Sequence, residues 1–100
     1  MEPVIRSFAD RATEDVFDGL STRDARRACP ASLWGVARRK LDQLNRVQRL
    51  AELAIPPGNR LERRRGNRSG RHSIRINEQY RLCFRWEPGY ADDVEITDYH

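Results

Sequence analysis

Three runs near the C-terminus constrain this chain most. Ile74 and Ile76, then Tyr80, Leu82, Phe84 and Trp86, then Val94 and Ile96, fall at alternate positions, the period of strands with one buried face. Between them lie Ser73, Arg75 and Asn77, then Arg81, Cys83 and Arg85, then Glu95, Thr97 and Tyr99. The spacing therefore predicts a sheet with one apolar face and one polar, mostly basic face, and any chemistry is expected on the basic one. The breaks at Asn77-Glu78-Gln79 and Pro88-Gly89 are short, which favours antiparallel neighbours.

Upstream, Pro3-Val4-Ile5-Arg6-Ser7-Phe8 reads as a first strand. Asp10 is placed to cap a helix whose apolar stripe is Ala12, Val16, Phe17 and Leu20, with Gly19 at its end. The polar stretch from Ser21 to Arg27 reads as a connection or an extra helical turn. Pro30 suits the first turn of a second helix, and Leu33, Trp34, Ala37, Leu41, Leu44 and Val47 recur beyond it at three- and four-residue steps. Pro56-Pro57-Gly58-Asn59 stops any helix. Arg60-Leu61-Glu62-Arg63-Arg64 then begins a strand-like region, and the Gly66-Asn67-Arg68-Ser69-Gly70 segment reads as a hairpin turn. The order of a strand, two helices and four strands predicts an α+β fold, with helices packed on one face of a mainly antiparallel sheet. The whole chain, 1–100, is expected to form one domain.

Charge distribution points to a partner. Eighteen of the nineteen basic residues are Arg, Lys40 being the exception. Arg presents a planar fork of donors suited to phosphate. Between Arg60 and Arg85 nine Arg face two acids, Glu62 and Glu78, giving +7 and leaving −3 for the remainder of a +4 chain. A concentrated basic region on a weakly acidic body suits nucleic acid. Arg63, Arg64, Arg65 and Arg68 read either as a solvated charge run or as phosphate contacts; Arg75, Arg81 and Arg85 share one side of the sheet, with Glu95 and other acids as cross-strand partners for at least one of the three. Cys29 and Cys83 lack ligand spacing, and Cys83 reads as a small strand residue. With two His, no metal and no cofactor are expected. The absence of an apolar run near the length of a membrane span, and of a disulfide framework, leads to an expectation of a soluble cytoplasmic protein with no membrane association.

The run from Ser73 to Trp86, the closing Asp93-Val94-Glu95-Ile96-Thr97-Asp98-Tyr99-His100, the opening Ile5-Arg6-Ser7-Phe8, Arg39-Lys40-Leu41-Asp42-Gln43-Leu44 and Ile55-Pro56-Pro57-Gly58-Asn59-Arg60-Leu61-Glu62 resemble the HigB (host inhibition of growth) family of toxins. That resemblance implies a RelE/ParE-like fold and a ribosome-dependent mRNA endonuclease acting in the ribosomal A site. It also implies a HigA-type helix-turn-helix antitoxin, with operator DNA bound only through the complex. By position, Arg81 matches the family's arginine at the scissile phosphate, Asp98 and Tyr99 its C-terminal pair, and His100 its terminal histidine. Glu62 and Arg65 fall where some relatives carry a His and a Lys; Arg65 keeps the charge, whereas Glu62 puts a carboxylate in place of an imidazole.

The catalytic candidates are thus Arg81, Asp98, Tyr99, His100, Glu62 and Arg65, and the RNA-binding candidates Arg63, Arg64, Arg68, Arg75 and Arg85. Tyr99 is expected on the face of Arg81, with Asp98 turning off the strand end. Acid and base are left open among Asp98, His100 and Glu62. Two other function classes share the fold or the basic face: a ParE-like inhibitor of DNA gyrase that cleaves nothing, and a non-catalytic RNA-binding module.

Overall fold

The computed structural model describes residues 2–63 and 70–99. Arg64, Arg65, Arg68, His100 and most of the Gly66–Gly70 turn lie outside them.

Helix α1 (Arg11–Phe17) begins where expected: the Asp10 side chain accepts the Thr13 N–H, satisfying an orphan donor of the first turn. Gly19, at φ +77°, sits just past its end. Of the two alternatives for the next stretch, the helical one holds: it forms a second helix, α2 (Arg23–Ala28). Thr22 caps it by accepting the Ala25 N–H and donates its own hydroxyl to Asp15 of α1 at 2.6 Å. Its buried face is only Ala25 and Ala28, small enough for α1 and α2 to pack closely but too short a stripe to show as periodicity. Helix α3 (Trp34–Leu44) follows a 3-10 turn at Ala31–Leu33, and its Ala37, Leu41 and Leu44 are fully buried. Val47 is buried from the loop beyond it.

Four antiparallel strands lie in chain order: β1 (Glu62–Arg63), β2 (Arg71–Arg75), β3 (Tyr80–Glu87) and β4 (Tyr90–Asp98). Ile74, Ile76, Leu82, Phe84, Val94 and Ile96 join Val16, Leu41, Leu44 and Leu53 in one core, so the alternation identifies the helix-covered face correctly. Tyr80 and Trp86 pack at its margin and Phe84 is fully buried.

The opening segment does not form the expected regular strand. It runs parallel to β4 but contributes only two single bridges, Ile5 to Ala91 and Phe8 to Val94. The interruption coincides with a bulge in β4: pairing shifts between Cys83 and Arg85, and Asp93 adopts φ 51°, in the left-handed region. Ser7 fills the gap: its hydroxyl accepts the Asp93 N–H and its carbonyl the Val94 N–H. Arg6 closes the same corner by an ion pair with Asp92 and by stacking on Tyr90, 4.2 Å from the ring centre. The Arg6 hydrogen bond holds the Asp92 carboxyl below the usual carboxylate range.

A cleft around Arg81

The sheet face opposite the helices is not open throughout. Ser73, Cys83 and Arg81 on it are 0%, 1% and 7% exposed, and the chain from Arg60 to Glu62 comes against Arg81 and Ser73 there. Alternation finds the face but cannot register this cover, which comes from elsewhere in the sequence.

Arg81 is accordingly clamped. Its Nε donates to Ser73 Oγ at 2.9 Å; its Nη2 donates to the Arg60 carbonyl at 2.6 Å and to the Ser73 carbonyl at 3.3 Å, and lies 3.8 Å from the Glu62 carboxylate. An acid on β1, Glu62, thus meets Arg81. The Tyr99 ring lies 5.6 Å from the guanidinium carbon, within cation–π range. A cleft of about 270 Å³ opens beside these groups, lined by Arg60, Glu62, Arg75, Asn77, Glu78, Arg81 and Tyr99. Arg75 is the cross-strand neighbour of Arg81, so two cations stand side by side along one wall. Asn77 shapes the rim: its side-chain oxygen accepts the N–H groups of Gln79 and Tyr80, tightening the turn between β2 and β3.

Of the predicted site residues, Arg81, Arg75, Glu62 and Tyr99 meet here. Asp98 does not turn off the strand end. It pairs with Tyr80 as the last residue of β4, alternates onto the side of Ile96, and accepts a hydrogen bond from Gln79 Nε2 at 3.1 Å. Burial and the Asp98 charge together raise the Tyr80 pKa. Arg85 stands at the far end of the face, where it and Arg71 approach Asp93 at 3.6 and 3.7 Å. Arg63 pairs with His72, which stacks on Phe84, so register places Arg63 on the side opposite the cleft. Burial, and secondarily Arg63, lower the His72 pKa, and among the described residues His72 Nδ1 is a buried atom with no hydrogen-bond partner.

Sequence reading missed Arg60, Asn77 and Glu78 as lining residues. A signal for Arg60 existed in its place after Pro-Pro-Gly-Asn, where a turn must redirect the chain. Cys83 is a buried strand residue, and burial pushes the Cys29 thiol up to about 11, which leaves it protonated. Among the described residues no group of three or more His, Cys, Asp and Glu side chains could hold a metal ion, and no helix is long and apolar enough to cross a membrane.

The profile of a family described as RelE-like toxin of type II toxin-antitoxin system HigB matches residues 6–100. The chain belongs to the HigB-like toxin family. Toxin HigB-1 of Vibrio cholerae is 48% identical over 65 residues, covering 65% of this chain and 68% of that protein. An uncharacterized protein of Haemophilus influenzae is 36% identical over 73 residues, 73% of this chain and 72% of its own length. This HigB-like toxin, with its helices on one side of a four-stranded antiparallel sheet, is the toxin of a toxin–antitoxin system, a role that entails an antitoxin partner.

Proposed function

We propose that this HigB-like toxin is an endoribonuclease that cuts messenger RNA on the ribosome and thereby blocks translation. The observation that carries the reading is the cleft in which Arg60, Arg75 and Arg81 converge beside the Tyr99 ring. Cations on one wall and an aromatic ring at the mouth suit a single-stranded nucleotide, whose base stacks while its phosphate meets the guanidinium groups.

Cleavage without a metal requires the ribose 2′-OH to lose its proton, attack the adjacent phosphorus and expel the 5′-oxygen, leaving a 2′,3′-cyclic phosphate. Negative charge grows on the phosphorane oxygens as this happens. Arg81, already fixed in place, meets that charge without reorganising, and Arg75 beside it adds a second cation. Tyr99 serves as a stacking platform and the arginines as counter-charge. The titratable groups at the cleft are Glu62 and Glu78, with His100 next in sequence to Tyr99. Asp98, held by Gln79 on the other side of β4, acts by fixing the strand end from which Tyr99 projects.

A HigA-type helix-turn-helix antitoxin is the partner we assign, neutralising the toxin and bringing the complex to operator DNA. The test is a purified translation system followed by primer extension on the message. New 5′ ends inside codons, present only with ribosomes, support the reading. Loss of DNA supercoiling with intact message points to a gyrase inhibitor, and arrested translation without cuts to an RNA-binding module; either outcome refutes it.

A further inference from the structure

Arg81 donates a 2.6 Å hydrogen bond to the carbonyl of a residue in an unusual backbone conformation. Arg60 lies at φ 47°, ψ 57°, a left-handed region that costs a non-glycine residue about 1–2 kcal/mol and persists only where the surroundings enforce it. The enforcement comes from Asn59, which is fully buried. Its Nδ2 donates to Gln43 Oε1 and the Leu53 carbonyl, both at 3.0 Å, and to the Ile55 carbonyl at 3.3 Å; its backbone N–H donates to the Pro56 carbonyl at 2.9 Å. Its remaining side-chain acceptor, Oδ1, takes a hydrogen bond from Lys40 Nζ. Gln43 also ties α3 to the same loop by donating to the Ile55 carbonyl at 2.7 Å.

Lys40 is the single lysine among nineteen basic residues, and it stands where a point donor on a thin stem reaches a buried amide oxygen. A guanidinium there would bring a broad fork with further donors to satisfy. The connections run without a break from helix α3 through Lys40 and Asn59 to the Arg60 carbonyl and the Arg81 guanidinium.

We propose that Lys40 and Asn59 are positioning residues for the cleft: they hold the Arg60 carbonyl in the left-handed turn so that it aims the Arg81 guanidinium at the scissile phosphate. This rests on the endonuclease reading for its consequence, but not for its structural content. A displacement of about 1 Å at a catalytic group costs on the order of 100-fold in rate, so loosening the turn should lower turnover without touching substrate.

Lys40→Met, which keeps the stem and removes the donor, tests it through two readouts. The first is hydrogen exchange of the Arg81 side-chain N–H groups by NMR on labelled protein, expected to quicken several-fold relative to wild type and to Arg39→Met, a control that removes a neighbouring exposed charge. The second is message cleavage on programmed ribosomes, expected to lose about tenfold in kcat at unchanged KM. Unaltered Arg81 exchange overturns the proposal. So does a raised KM with unaltered kcat, which would make Lys40 a ribosome contact. If Lys40→Met does not fold, Lys40→Gln takes the same two measurements. If the wild type cuts nothing, the endonuclease reading fails, while the exchange rates still decide whether Lys40, through its hydrogen bond to Asn59, holds Arg81.

Discussion

Arg81→Met removes a guanidinium that is 7% exposed and keeps most of the apolar stem. Among its partners, Ser73 Oγ, the Ser73 carbonyl and the Arg60 carbonyl each lose a donor. A hydrogen bond to a charged group contributes about 1.5–3 kcal/mol, offset in part by the desolvation that burial of the guanidinium already imposes. The Glu62 contact adds little, since its carboxylate is half exposed at 3.8 Å. The expected loss is about 2–4 kcal/mol, which in a domain of this size lowers Tm by about 10–25 °C. Thermal unfolding followed by circular dichroism measures it. Arg81→Lys should recover part of the loss, since one ammonium reaches one acceptor group but lacks the fork that spans β2 and the Arg60 turn. Both variants should cut messenger about 100- to 1000-fold more slowly at a temperature where they remain folded. A Tm for Arg81→Met within about 2 °C of wild type would refute the clamp, because that is the response of an exposed side chain.

Tyr99, 40% exposed, contributes to the cleft and not to the core. Tyr99→Ala should leave Tm nearly unchanged while slowing cleavage about 10- to 100-fold, the worth of one stacked base, and Tyr99→Phe should retain most activity; equal cleavage by all three proteins would remove the stacking role. His72 has a folded-state pKa below its ordinary value of 6.5, so the unfolded chain binds the proton first. Stability is therefore full above about pH 6.5 and declines as pH falls toward the depressed folded value, and His72→Leu should flatten denaturant midpoints between pH 6.5 and 5; an unchanged slope would contradict it. Asp92 acts in the same direction at lower pH: its carboxyl is depressed by Arg6, so its contribution is present above about pH 4 and is lost as pH falls through the lower folded value. Asp92→Asn should blunt the acid limb of the stability curve below pH 4 with little effect on cleavage, a result that fails if the limb is unaltered.

What the sequence discloses here is local. Asp10 before an apolar stripe foretells α1, the three- and four-residue spacing foretells α3, and alternation separates Leu82 from Arg81. Each signal is carried by neighbours in the chain. What it withholds depends on distant partners. Nothing near Arg81 announces that residues 60–62 will come against it, so a residue read as projecting from a basic surface is instead nearly buried. Helix α2 has two alanines as its whole buried face and is defined by a Thr22 cap shared with Asp15 of α1, which leaves no periodic trace. The β4 bulge depends on Ser7, more than eighty residues earlier, and it reduces the expected first strand to two bridges. Among the candidate site residues, side-chain parity places Tyr99 with Arg81 correctly, while the same parity, followed through Asp98, sends that carboxylate to the other side.

The central claim is that the Arg81 cleft accelerates attack of a ribose 2′-OH on its neighbouring phosphate within ribosome-bound message. Its most direct test is a synthetic message carrying a single 2′-deoxynucleotide at the position where the unmodified message is cut, presented on ribosomes to the purified toxin and resolved by primer extension. The account predicts that cleavage vanishes at that one position, persists at other cut sites in the same message, and yields 2′,3′-cyclic phosphate ends there. Cutting at the deoxy position as fast as in the unmodified message would contradict it.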